Sequence, residues 1–165
     1  DAARAADGYY RRQARFGWRE EAKMSLEVRT EAVFQGGMLF RGTSGRSGKT
    51  VEVDFAREGQ PVGGFTPLEL LLTSLCGCSG QVVVGLLNRM GQEVRELTVR
   101  ARGTKREAHP SVLTAVELLF AFRGGKVDGA SVEKAFSLSE DRFCPVWVML
   151  RASAPITARY EIAAG

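Results

Sequence analysis

The sequence predicts an α+β fold with the element order βββ-α-ββ-α(α)-β. Three observations predict it. Apolar and polar residues alternate with period two between Ser25 and Phe55, interrupted by glycine-containing turns. A long apolar segment then opens at Thr66-Pro67 and stops at Gly91. Beyond it the alternation returns, followed by a helix-period segment and a closing strand.

Leu26, Val28 and Thr30 interleave with Glu27, Arg29 and Glu31, as in a half-buried strand. Gly36-Gly37 interrupts it, and Met38 to Arg41 forms the next short strand. The run 43–48 is a turn, after which Val51, Val53 and Phe55 alternate with Glu52 and Asp54, completing a meander. Thr66 precedes Pro67, with Glu69 three residues after Thr66, a capping box with proline at the first helical position. The helix should run to about Met90, roughly 35 Å at 1.5 Å per residue, and it is apolar almost all round. Such a helix belongs inside a core, and a chain of 165 residues has few ways to wrap it, so burial in a homodimer is expected. Leu97, Val99 and Ala101 mark a further strand, and Val112 to Phe122 another. A helix from about Gly129 to Arg142 turns Val132, Ala135, Phe136 and Leu138 inward. Pro145 forces a boundary, Val146 to Ala152 forms a short helix, and Ile156 to Ile162 closes the fold.

Composition narrows the function classes. The net charge of +4 is spread from Arg4 to Arg159 rather than gathered on one aromatic-studded face, which reads as a solvated surface and not a nucleic-acid patch. Three cysteines, an odd number, argue against a secreted disulfide framework. The run Leu68 to Leu87 approaches membrane-spanning length, but Glu69, Gln81, Gly77, Gly80 and Gly85 interrupt it, so a core helix is the better reading and no membrane partner is expected. With no charged-then-apolar leader, a cytoplasmic location is expected. Residues 1–23 read as an N-terminal arm carrying six basic and four acidic residues, and residues 24–165 as one domain.

The chemistry falls to the thiols. Cys78 lies within the long helix beside Gly77, Ser79 and Gly80, small residues that admit a ligand or a second helix at a cost of about 1 kcal/mol per glycine. Cys144 immediately precedes Pro145 and is a candidate N-cap, a setting that favours the thiolate. Buried structural cysteine is the alternative for either one. Cys76 is two residues from Cys78, roughly 200° round the helix, so the two cannot share a face or chelate one metal. His109 is the only histidine, which leaves no zinc cluster and no evident Cys-His engine. The glycine pairs fall in turns without the strand–GxGxxG–helix context, so no metal and no cofactor is expected.

Three blocks stand out: Thr66-Pro67-Leu68-Glu69-Leu70-Leu71 continuing to Cys76-Gly77-Cys78-Ser79, then Glu107-Ala108-His109-Pro110-Ser111-Val112-Leu113-Thr114, and Leu138 to Val146 with Phe143-Cys144-Pro145 at its heart. Together they resemble the OsmC/Ohr family, the osmotically inducible and organic-hydroperoxide-resistance proteins. The resemblance covers roughly Ser25 to Ile162, has the cysteines 66 residues apart, and is nearest to the YhfA-like OsmC branch. It implies the OsmC-like fold, an intertwined homodimer with long central helices, and thiol-dependent reduction of peroxides, organic hydroperoxides especially. By the same resemblance Cys78 is the peroxidatic cysteine and Cys144 the resolving one, reset by an external dithiol. An Arg–Glu pair that activates the thiol is also implied. Glu69 and Arg41 are its candidates, with Arg46 a substitute for the arginine. Nine residues, roughly 13 Å along the helix, separate Glu69 from Cys78, so Glu69 would serve the partner chain's site. The alternative function is a non-enzymatic small-molecule-binding or redox-sensing dimer of the same fold.

Overall fold

The computed structural model describes residues 27–55, 59 and 61–163. The arm at residues 1–23 and the start of the first expected strand at Leu26 lie outside them. The elements follow the expected order: β1 (Thr30–Gly36), β2 (Leu39–Ser44), β3 (Thr50–Val53), α1 (Pro67–Arg89), β4 (Glu93–Lys105), β5 (Leu113–Lys126), α2 (Gly129–Leu138), a π-turn (Ser139–Phe143), α3 (Pro145–Arg151) and β6 (Ile156–Ala163).

Strands β1, β2 and β3 form one antiparallel sheet, and β4, β5 and β6 a second, in which β5 and β6 run parallel. The crossover from β5 to β6 runs through α2, the π-turn and α3, as parallel pairing requires. In β5 the period-two pattern points Val116, Leu118, Phe120 and Phe122 into the core, with Glu117 and Arg123 on the opposite face. These side chains meet Leu75, Val83 and Leu87 of α1, Val132 and Ala135 of α2, and Trp147 of α3. Phe136 stacks against Phe120 at 4.6 Å and edge-on to Tyr160 at 6.0 Å, fastening α2 to the sheet.

Helix α1 is built as the capping signals require. Thr66 is extended at φ −70° and accepts from the Glu69 N–H, while the Glu69 carboxylate accepts from the Thr66 N–H at 2.8 Å. Gly91 adopts φ +76°, a left-handed conformation that ends the helix and suits glycine. Gly80 is buried where an added Cβ would come within 3.2 Å of Val99, so its missing side chain sets the close approach of α1 to β4. By length and composition alone α1 could cross a membrane, but its Leu75, Ser79, Val83 and Leu87 stripe is core. Only 28% of its most apolar stretch is buried, so one chain covers one face of this helix.

Five expected boundaries shift. Strand β5 continues past Phe122 to Lys126, because Gly125 and Lys126 stay paired with Val94 and Glu93 of β4 and take the expected Gly124-Gly125 turn into the ladder. Val28 is 98% exposed and precedes the sheet, because β1 is aligned by its ladder with β2 from Thr30↔Ser44 to Phe34↔Phe40. Strand β2 extends to Ser44, beyond Arg41, through pairing with both neighbours. Strand β3 stops at Val53 and leaves Phe55 exposed. Asp54 turns the chain there, accepting from the Phe55 N–H at 2.7 Å and from the Gly63 N–H at 2.8 Å. Helix α2 ends at Leu138, and the residues expected to continue it to Arg142 widen into the π-turn.

Candidate active site

Cys78 sits three turns into α1, on the side that meets α3 and the π-turn. Cys144 is delivered from the opposite direction. The Cys144 N–H donates to the Ser139 carbonyl at 3.0 Å, closing the wide turn, and the backbone then becomes extended at φ −98°, ψ 99°. Pro145 starts α3 at the first helical position, where its missing N–H costs nothing. The Cys144 sulfur caps that helix, accepting from the Trp147 N–H at 3.4 Å. Trp147 itself is 1% exposed and anchors the segment in the core.

This construction brings two free thiols together. Cys144 Sγ–H donates to Cys78 Sγ at 2.9 Å, with Cys144 fully buried and Cys78 half-buried. The Cys144 thiol is pushed up to about 12. Burial is the main cause and the adjacent Cys78 adds to it, against the opposing pull of the Trp147 and Val146 N–H groups. The expectation that the N-cap position favours a Cys144 thiolate is therefore overturned. The Trp147 and Val146 N–H groups do not offset the loss of water around the sulfur. At neutral pH Cys144 keeps its proton and directs it at Cys78.

The other candidates are placed elsewhere. Cys76 is half-buried against the core with its thiol raised by desolvation, and it stands apart from the pair. Glu69 is held at the start of α1, where hydrogen bonds from the Thr66 backbone and hydroxyl keep its carboxyl below the usual range. Arg41 lies on β2 opposite Glu52 of β3 and donates to it at 2.7 Å. Arg46 is exposed in the β2–β3 turn and His109 in the β4–β5 loop. Within one chain, then, the structure joins Cys78 to Cys144 but brings neither Glu69 nor Arg41 to them. Among the described residues no group of three or more His, Cys, Asp or Glu side chains converges as a metal site would require.

Two residues near Cys144 escape a reading of the sequence. Ser139 supplies the carbonyl that closes the π-turn, and its own buried hydroxyl has no partner among the described residues. Trp147 positions the Cys144 sulfur through its backbone, and its buried indole Nε1 is likewise unpartnered. Only the three-residue spacing from Cys144 to Trp147, that of a capping acceptor and the N–H that donates to it, signals this role.

Comparison with known proteins agrees with this fold. Residues 57–159 match the family profile of OsmC-like proteins. Protein YhfA of Escherichia coli K12 is 33% identical over 99 residues, spanning 60% of this chain and 74% of YhfA. A hypothetical protein from Aquifex aeolicus VF5 superposes with a TM-score of 0.75 at 26% identity, over 86% of this chain and 99% of that one. An organic hydroperoxide resistance protein OsmC from Legionella pneumophila, described as a predicted redox protein and regulator of sulfide bond formation, shares the fold. Its TM-score is 0.63 at 15% identity, over 84% of this chain and 99% of that one.

Proposed function

The chain belongs to the OsmC-like family, and on that premise we propose that it is a thiol-dependent peroxidase acting on organic hydroperoxides. The observation that carries this reading is the Cys144–Cys78 contact at 2.9 Å, pairing a buried protonated thiol with a more accessible one. The Cys78 thiolate attacks the terminal peroxide oxygen. The O–O bond breaks, the alkoxide leaves and is protonated to an alcohol, and Cys78 becomes a sulfenic acid. Cys144 then forms an S–S bond to Cys78 as the sulfenic oxygen departs as water. An external dithiol returns both sulfurs to the reduced state.

The functional unit is a cytoplasmic homodimer. An apolar α1 that its own chain covers on one face supports a second copy against the rest. In that assembly Glu69 and Arg41 would act on the partner subunit's thiols, since each is engaged away from Cys78 in its own chain.

Stoichiometric cumene hydroperoxide should convert the Cys78 and Cys144 thiols to one disulfide by non-reducing peptide mass spectrometry. Dithiothreitol-dependent turnover should disappear in Cys78→Ser. If both thiols stay free after peroxide treatment, the peroxidase reading is wrong. One observation favours the second reading, a redox-sensing or ligand-binding dimer without turnover. Arg41 and Glu69 are already paired with Glu52 and Thr66, so no activating pair meets Cys78 within the chain. That reading requires oxidation without sustained peroxide consumption.

A further inference from the structure

From the unequal burial of the two sulfurs we infer that the reductant resetting the Cys78–Cys144 disulfide attacks the Cys78 sulfur, with Cys144 as the leaving thiol. The inference rests on the proposed function only in requiring that the pair pass through a disulfide.

Thiol–disulfide exchange places the attacking sulfur in line with the bond it breaks, on the side away from the leaving sulfur. Cys144 offers no such approach. It is 0% exposed, with the Cys78 sulfur at 2.9 Å and the Trp147 N–H at 3.4 Å, among core side chains. Within its own chain Cys78 is only half-buried and keeps surface that the enclosed Cys144 lacks. The open side of the pair is the Cys78 side.

The sequence of bonds is then defined. A thiolate of the external dithiol bonds to Cys78 Sγ, and the Cys78–Cys144 bond breaks with its electron pair on Cys144 Sγ. That sulfur takes a proton from solvent or from the dithiol's second thiol. The second sulfur of the dithiol, as thiolate, attacks its own partner in the mixed disulfide and releases Cys78 as a thiolate. The dithiol leaves as a disulfide, oxidised by two electrons, and the protein pair is reduced by two.

Leaving-group chemistry by itself disfavours expulsion of a sulfur as basic as Cys144. Two features of the site work against that handicap. The Trp147 N–H donates to the departing sulfur while charge develops on it. Once protonated, a thiol pushed up to about 12 stays protonated at neutral pH, so it does not re-attack the mixed disulfide. Access to Cys78 and suppressed return from Cys144 both drive the exchange toward reduction.

The full chain, oxidised with diamide so that no hydroperoxide is needed, is treated with glutathione. It is quenched in acid within a time series, and the adducts are mapped by peptide mass spectrometry. The expected result is glutathione on Cys78 in at least tenfold excess over Cys144. An adduct mainly on Cys144, equal labelling, loss of the disulfide with no adduct on either cysteine, or failure of diamide to form the disulfide each overturns the inference. A parallel sample oxidised with cumene hydroperoxide separates the two claims. If diamide forms the disulfide and hydroperoxide does not, the peroxidase reading fails while the site of exchange is still decided by the adduct map.

Discussion

Protonation of Cys144 is a sharp test of how this site is built, because two local forces oppose each other there. The Trp147 N–H pulls the thiol toward ionisation, while burial and Cys78 push it up to about 12 from an ordinary 9.0. At pH 8 an ordinary thiol of that kind is about a tenth ionised. Raised to about 12, Cys144 is ionised roughly a thousandfold less often, and enclosure slows reagents further. The assay is iodoacetamide alkylation of the reduced protein at pH 8, followed residue by residue by mass spectrometry, with the urea-unfolded chain as reference. Cys144 should react at least a thousandfold more slowly in the folded protein than in the unfolded one. In Cys78→Ala the ratio should narrow, because the neighbouring sulfur is the second cause, yet it should not vanish, because burial is the first. The same reasoning fixes the sign of a stability effect. The folded protein holds the Cys144 proton more tightly than the unfolded chain, so this contribution is constant below the unfolded value near 9 and stability falls as pH rises toward 12. If folded Cys144 is alkylated as fast as the unfolded residue, the cap has won over desolvation and the assignment of the proton to Cys144 is refuted.

Thr66→Ala removes the N-cap acceptor and should cost about 1 kcal/mol by urea denaturation, with the disulfide chemistry of Cys78 and Cys144 intact. Glu69 and Asp128 both have carboxyls held down by hydrogen bonds at helix starts, from Thr66 and Ser131 respectively. Their contribution should be present above the ordinary carboxylate range and lost as pH falls through the lowered values, and Thr66→Ala should reduce the Glu69 share of that acid limb in equilibrium unfolding without removing it, because the backbone N–H of residue 66 still donates to Glu69. Trp147→Ala empties the largest fully buried side chain among the described residues and should destabilise by about 3–5 kcal/mol. Circular dichroism melts will read that loss. A loss below about 1 kcal/mol would contradict Trp147 as the anchor of α3.

Legibility followed the range of each interaction. The start of α1 depends on Thr66, Pro67 and Glu69 alone, and the start of α3 on Cys144 and Pro145, so both were readable from adjacent residues. Strand β5 announced its inward face through alternation, and Gly91 its helix stop. The end of β3 was not readable, because it is set by Asp54 reaching the Gly63 N–H nine residues on. The π-turn was invisible for a related reason. Its helical pattern runs on toward Arg142, and only the packing of Cys144 and Trp147 against α1 demands a wider turn.

For the candidate site the division is similar. Residue types and neighbours alone marked Cys78 and Cys144 as the thiols to examine, and set Cys76 aside by helical geometry. Their pairing across 66 residues came from family resemblance, and the fold realises it by bringing two helices together. The partner of Arg41 depends on the β2–β3 register, which places Glu52 opposite it. By itself the sequence determined the elements and the candidate thiols, because capping, turn and alternation signals act within a few residues. Tertiary structure alone decided that the Cys144 sulfur is enclosed and pushed up while Cys78 keeps exposed surface, because desolvation is a property of everything packed around an atom and no short stretch of chain contains it.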